Sequence, residues 1–416
     1  MSSNIFEPLV IGAFDSAKLS GKLLLKLLNI KLHLNIEEFF KIVELKNKKE
    51  HYPKQIKIYS SEKGYVYLLS APVGLGLSDF TKYKESLELQ LKNKIEIRER
   101  KGYIEIEVIT KELSSKINYT IPCRVKDSIY IPFAETLGGT AYLDLKETPH
   151  TLCTGTTGGG KSVTTKNIIT SVINLYPNEV DLYLIDFKIV ELSIFKKLNQ
   201  CKKYVNEIDD AKEVIADLME ECKRRYKLFD ELGVSDIYEY NKKVSKDKKL
   251  NFQFIVIEEF VMLLQDRKKI AMTTLKTLAS LSRASGQFLY ITAQRFDNTV
   301  IDLVLRSVIG NRICHLVESE NDSKLIIDQV GADKLRGNGH ILFKNGGKVT
   351  ECQSYFITNE QVIELTKQYK INSNQIKEPY SNYKKEVNEI VVSEKEKYIK
   401  PKKETILEDL SFLDNI

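Results

Sequence analysis

Leu152-Cys153-Thr154-Gly155-Thr156-Thr157-Gly158-Gly159-Gly160-Lys161-Ser162-Val163 is the stretch from which the fold can be read. Gly155 to Ser162 has the form G-x-x-x-x-G-K-[ST], set between the apolar Leu152-Cys153 pair and a helix-compatible run from Val163 to Ile173. Strand, loop and helix in that order let glycine backbone N–H groups converge on phosphate oxygens, with the helix N-terminus adding a favourable dipole. Three consecutive glycines before Lys-Ser carry an entropic cost that a loop without a ligand has no reason to bear. The stretch Gly155, Thr156, Thr157, Gly158, Gly159, Gly160, Lys161, Ser162 and Val163 is therefore expected to cradle ATP. Lys161 is expected to reach the β and γ phosphates and Ser162 to offer its hydroxyl to Mg²⁺.

Outward from the loop, Phe254-Ile255-Val256-Ile257 reads as a buried strand that ends in Glu258-Glu259. A P-loop fold places one carboxylate there for the metal shell and one to activate water, so Glu258 takes the metal role and Glu259 the base role. Gln294 and Arg295 follow another apolar run, Phe288 to Ile291, where a polar side chain can orient water beside the γ phosphate. The apolar runs Leu182 to Ile185, Phe254 to Ile257, Phe288 to Ile291 and Ile341 to Phe343 alternate with longer helical patterns. That order predicts an α/β fold, a RecA-like P-loop NTPase domain with a mostly parallel sheet and crossover helices.

Ahead of this unit the pattern differs. Ile56 and Ile58, then Tyr65 to Leu69, then Ile95 to Ile109 alternate as strands do, and Ser78 to Leu91 reads as one helix capped by Ser78 or Asp79. Phe80, Tyr83, Leu87 and Leu91 share its inner face, and Lys111 to Tyr119 reads as a polar connector. The expected division is an N-terminal helical segment (1–50), a small α+β domain (51–120), the motor-sized domain (121–369) and a flexible charged tail (370–416).

Composition narrows the class without deciding function. With 42% hydrophobic and 29% charged residues the chain is globular rather than disordered or fibrous. Its net charge of +6 fits a nucleic-acid partner and many other proteins alike. The six cysteines form no C-x-x-C pair and are expected to be reduced, buried thiols. The best apolar stretch, Leu23 to Leu34, is broken by Lys26, Lys31 and His33, so it reads as an amphipathic helix rather than a membrane span. A cytoplasmic location, with recruitment to the membrane by a partner, is the expectation.

A longer series of motifs surrounds the loop: Pro149-His150, Leu184-Ile185-Asp186-Phe187-Lys188 with Glu191-Leu192, Arg224-Arg225-Tyr226 and Arg283-Ala284-Ser285-Gly286. Ala293-Gln294-Arg295, Asn321-Asp322-Ser323, Gly331 to Leu335 and Gly337-Asn338-Gly339 follow in order. From about Gly138 to Phe356 the chain thereby resembles the motor domain of the FtsK/SpoIIIE family of DNA translocases. The resemblance implies a homo-hexameric ring around duplex DNA, held by sequence-independent phosphate contacts, with ATP at subunit boundaries. It also implies an arginine that reaches the neighbour's γ phosphate, a role that falls on Arg283, with Arg312 in reserve. The segment from Tyr52 to Ile109 is similar, less specifically, to the small domain ahead of the family's motor.

Departures from the family pattern are Glu258 for the usual Asp, His340 where Asp is common, and Phe296 for the proline after Gln-Arg. The family's membrane-spanning region and winged-helix domain are not expected here. The remaining resemblance is to shorter relatives on plasmids and integrative conjugative elements, which work with a relaxase or a membrane-anchored partner. Competing readings are a conjugation-type coupling ATPase that handles single-stranded DNA, a protein-remodelling P-loop ATPase and a non-catalytic nucleotide-dependent scaffold.

Overall fold

A computed structural model of the chain describes residues 35–125, 129–294 and 303–371. The expected amphipathic helix at Leu23 to Leu34, the tail beyond residue 371, and Arg295 and Phe296 lie outside the described residues.

Helix α1 (Ile36–Ile42) leads into strands β1 (Lys54–Ser60) and β2 (Gly64–Ser70), helices α2 (Leu77–Thr81) and α3 (Lys84–Leu91), and strands β3 (Lys94–Arg100) and β4 (Tyr103–Ile109). The four strands form an antiparallel sheet in the order β1-β2-β4-β3. The alternating run from Ile95 to Ile109 is therefore a hairpin, turned at Lys101 and Gly102, both with positive φ. The helix expected from Ser78 to Leu91 is two helices, and its cap is neither Ser78 nor Asp79. Gly76 is the N-cap, with Asp79 Oδ2 accepting the Gly76 N–H at 2.9 Å from the third helical position. The inner face holds as read at Phe80 and Leu87, both fully buried. Ile36, Phe39, Phe40 and Leu45 share this core, on the N-terminal side of the division at residue 50.

The larger unit begins with β5 (Ile117–Asn118), β6 (Tyr130–Thr136), β7 (Gly139–Asp144) and β8 (Thr151–Thr154). It continues through α4 (Lys161–Leu175), β9 (Val180–Asp186), β10 (Cys201–Val205), α5 (Ile208–Leu232), α6 (Ile237–Lys243) and β11 (Phe252–Glu258). Helix α7 (Ile270–Ser285), β12 (Gln287–Ala293), α8 (Leu303–Val308), β13 (Asn311–Cys314), α9 (Glu320–Ile327), β14 (His340–Asn345), β15 (Lys348–Phe356) and α10 (Asn359–Thr366) complete it.

One sheet runs β10-β9-β11-β12-β8-β13-β14-β15-β6-β7, with β5 paired to β15. From β10 to β13 every neighbour is parallel; from β13 to β7 the path is antiparallel. Side chains alternate across a strand, and β11 shows the result: Phe254 and Val256 join the core beneath α4, while Ile255 and Ile257 join the core beneath α5 and α7. A strand covered on both faces must be apolar throughout, which is why these runs were legible in the sequence.

Two motifs turn out to fasten layers. His150 is buried between α7 and β12; its Nε2–H donates to the Ala279 carbonyl at 2.9 Å and its Nδ1 accepts the Leu289 N–H at 3.1 Å. Arg225, 3% exposed, reaches from α5 to the Ser285 carbonyl at 2.7 Å, and the Tyr226 hydroxyl donates to the Leu281 carbonyl at 2.7 Å. All six cysteines are free thiols, but Cys123 is exposed, against the expectation of burial. Among the described residues no helix is long and apolar enough to cross a membrane.

Candidate nucleotide-binding site

The parallel strands bring their C-terminal ends to one edge, and the loop from Gly155 to Gly160 leaves β8 there and enters α4. Gly155, Gly158 and Gly160 have φ of +148°, +82° and +105°, a region that L side chains seldom adopt. Space is as restrictive as conformation at two of them. A Cβ on Gly155 would lie 2.5 Å from His315 Cβ, and one on Gly160 would lie 2.5 Å from the Gly339 nitrogen. His315, wholly buried beneath the loop, donates from Nδ1 to the Gly159 carbonyl at 2.9 Å. Burial holds its imidazole down at about 4, so it is neutral at physiological pH.

Lys161 opens α4 and is 6% exposed, and its Nζ has no hydrogen-bond partner among the described residues. Burial lowers its pKa, with the charge of Glu258 acting against that shift. An ammonium in this condition lacks an acceptor that a phosphate oxygen would supply.

Glu258 ends β11 fully buried; its Oε2 accepts from Thr292 Oγ1 at 2.7 Å while Oε1 has no hydrogen-bond partner. Burial raises its pKa, opposed by the Thr292 hydroxyl and by Lys161. Glu259 sits at φ +56°, its Oε2 2.9 Å from Lys188 Nζ and its Oε1 accepting the Gln294 N–H at 3.2 Å. Lys188 is also 3.8 Å from Glu258 Oε1, so one lysine stands between the two carboxylates.

Asp186 is the residue that sequence reasoning placed in a motif but gave no role. It pairs in register with Glu258, is fully buried, and accepts from the Leu192 N–H at 2.9 Å and the Tyr204 hydroxyl at 3.2 Å through Oδ2, leaving Oδ1 unpaired. The turn beyond it holds Ile189 at φ +68°, a strained position for a β-branched side chain.

A cavity of about 640 Å³ opens on this edge and is lined by Thr156, Lys161, Ser162, Lys188, Gln294 and the segment Ser354 to Phe356, among others. The residues fit a nucleotide and its Mg²⁺: a buried ammonium lacks a partner, a carboxylate oxygen lacks a donor, and the glycine cradle excludes Cβ atoms. Ser162 lines the cavity and Glu258 carries the unpaired carboxylate oxygen, the two donors that a metal would find here; Mg²⁺ usually takes few protein ligands and completes its shell with phosphate and water.

The two arginines behave differently. Arg283, near the end of α7, lies at the N-terminal ends of the parallel strands, across the sheet from the loop, where it donates to the Lys146 carbonyl at 3.2 Å and faces Glu147 at 3.4 Å. Its side chain is 59% exposed. Arg312 is 8% exposed, and its guanidinium donates to the carbonyls of Arg306 and Ile326 and to Asp328. Those bonds occupy Arg312 within its own chain, whereas the Arg283 side chain faces solvent.

Residues 126–343 match the model of the FtsK/SpoIIIE family. Over 223 residues the chain is 38% identical to the DNA translocase FtsK of Borreliella burgdorferi, an overlap of 51% of this chain and 28% of that protein. It is 36% identical over 234 residues to the DNA translocase SftA of Bacillus subtilis, covering 54% of this chain and 24% of that protein. The chain thus spans under a third of the length of either relative. Among solved structures, the pCW3 conjugation coupling protein TcpA, in its monomer form with ATPγS, superposes with a TM-score of 0.58 at 23% identity. That match covers 80% of this chain and 98% of TcpA. EssC (ATPases 2 and 3) from Geobacillus thermodenitrificans superposes with a TM-score of 0.55 at 20% identity, over 62% of this chain. At such identities the likeness is one of fold.

Proposed function

We infer, from the premise that this chain belongs to the FtsK/SpoIIIE family, that it is an ATPase that couples hydrolysis to movement along DNA. One observation carries the reading: a buried, unpartnered Lys161 ammonium lines the cavity beside a glycine cradle, within reach of the charge of the buried Glu258 carboxylate. Lys161 binds the terminal phosphates, Glu259 accepts a proton from attacking water, and Gln294 orients that water. Mg²⁺, when bound, would neutralise phosphate charge, and Ser162 and Glu258 are the residues that would hold it.

The finer reading is a homo-hexameric ring on double-stranded DNA, gripped through backbone phosphates without regard to sequence. The small α+β domain would form a second tier of that ring, and Arg283, exposed and remote from its own loop, would complete the neighbour's site. The setting we propose is cytoplasmic, in transfer or maintenance of a plasmid or integrative conjugative element, with a relaxase or membrane-anchored partner. The extent of the match to a protein named for conjugation coupling favours, as a second reading, a coupling ATPase for single-stranded DNA.

Steady-state ATP hydrolysis with no DNA, linear duplex and single strands separates these. Duplex stimulation that Lys161→Ala abolishes supports the translocase, and preference for single strands favours the coupling role. Hydrolysis indifferent to both polymers would overturn DNA as the substrate.

A further inference from the structure

The cavity extends beyond the phosphate loop to a second wall made by Ser115, Lys116, Tyr355 and Phe356. Two of these come from the segment that reads in the sequence as a polar connector, and two from the last residues of β15. Lys116 Nζ lies 4.1 Å from the centroid of the Phe356 ring, over its face. An aromatic face that holds a cation at the mouth of a phosphate site has the flatness and quadrupole to take a heterocyclic ring.

The wall and the loop are parts of one frame. Strand β5 pairs Ile117 with Tyr355 and Asn118 with Phe356, and the Tyr119 N–H donates to the Phe356 carbonyl at 2.8 Å. From the other side, Thr164 Oγ1 donates to Ser354 Oγ at 2.7 Å and Asn167 Nδ2 to the Tyr355 carbonyl at 2.9 Å. Thr164 and Asn167 lie on the first two turns of α4, the helix whose N-terminus carries Lys161. The wall therefore has a geometry fixed relative to Lys161, at the far side of the same cavity.

The geometry points to Phe356 as the platform on which the base of the bound nucleotide stacks, taking the place that the Lys116 ammonium holds over the ring. This rests on the reading of the loop as an ATP site. A larger fused ring covers more of the Phe356 face than a single ring does, so the platform favours purine over pyrimidine nucleotides.

Calorimetric titration of the full chain with ATP, CTP and inorganic tripolyphosphate, each with Mg²⁺, tests the platform. Phe356→Leu keeps an apolar side chain against the wall but removes the ring; it is expected to weaken ATP on the order of tenfold or more, shrink the ATP-to-CTP ratio and leave tripolyphosphate unchanged. Phe356→Trp is expected to retain ATP affinity and the ATP-to-CTP ratio. A Phe356→Leu protein with unchanged ATP affinity, or one that loses tripolyphosphate as much as ATP, overturns the platform while leaving the phosphate site intact as a reading. Wild type that binds neither ATP nor tripolyphosphate overturns the phosphate site and the platform together.

Discussion

Gly160 and Gly339 meet backbone to backbone: a Cβ on Gly160 would fall 2.5 Å from the Gly339 nitrogen and 2.9 Å from its Cα. The approach is held by the Gly339 N–H, which donates to the Gly159 carbonyl at 2.9 Å. The phosphate loop is thus shaped by a glycine almost two hundred positions away.

Gly160→Ala is expected to lower stability by about 2–5 kcal/mol, the left-handed penalty and the clash together, and to abolish measurable nucleotide affinity, because backbone cannot step aside as a flexible side chain can. Gly158 also has positive φ, yet nothing lies within 4 Å of the Cβ position there. Gly158→Ala should therefore cost only the left-handed penalty, about 1–2 kcal/mol. Equal melting temperatures for the two variants would contradict this account.

Lys161→Met should lose ATP binding without losing stability. The ammonium it removes is buried and unpartnered, so melting temperature is expected to stay level or rise, by up to about 1–3 kcal/mol of stability. Thermal melting beside a nucleotide titration checks both halves, and a clear fall in melting temperature would show that Lys161 has a structural partner.

At Glu259, conversion to Gln should spare nucleotide binding and depress turnover by roughly 10²–10⁴, the usual range for a lost acid–base group. Glu258→Asp tests whether the shorter carboxylate usual in the family still reaches the site. Single-turnover hydrolysis in which Glu259→Gln matches wild type would remove Glu259 as the base.

His150 and His315 make the fold sensitive to acid. Burial holds both at about 4 in the folded chain, below the ordinary value of 6.5. A depressed folded pKa means that the unfolded chain binds more protons, so stability is full above about 6.5 and falls as pH drops toward 4, on the order of 3 kcal/mol per histidine. Urea unfolding between pH 7.5 and 4 should show that slope, and His150→Gln should flatten it.

Arg283→Ala should leave folding within about 0.5 kcal/mol of wild type, as for an exposed side chain. Under the ring reading it should retain ATP binding yet cut assembled turnover by roughly 10³–10⁵. Mixing variant and wild-type subunits should poison activity out of proportion to the fraction added; proportional dilution would exclude a role on the neighbour.

The sequence by itself determined the elements whose chemistry is local. Gly155 to Ser162 is legible because the glycine backbone and the lysine and serine side chains that would meet a phosphate are contiguous in the chain, and Phe254 to Ile257 is legible because a strand covered on both faces admits only apolar residues. Tertiary structure decided what depends on partners distant along the chain. Gly339 and His315 close on the loop from segments next to later strands, so their residue types carry no local signal for that role. Ile117 and Asn118 form a strand because β15 offers an edge, although the segment reads as a polar connector. Arg312 carries the same charge as Arg283, and burial against Asp328 and two carbonyls separates their surroundings. Residue type and spacing specify what a chain can bind, while the burial and reach of each side chain are set by how the distant elements pack.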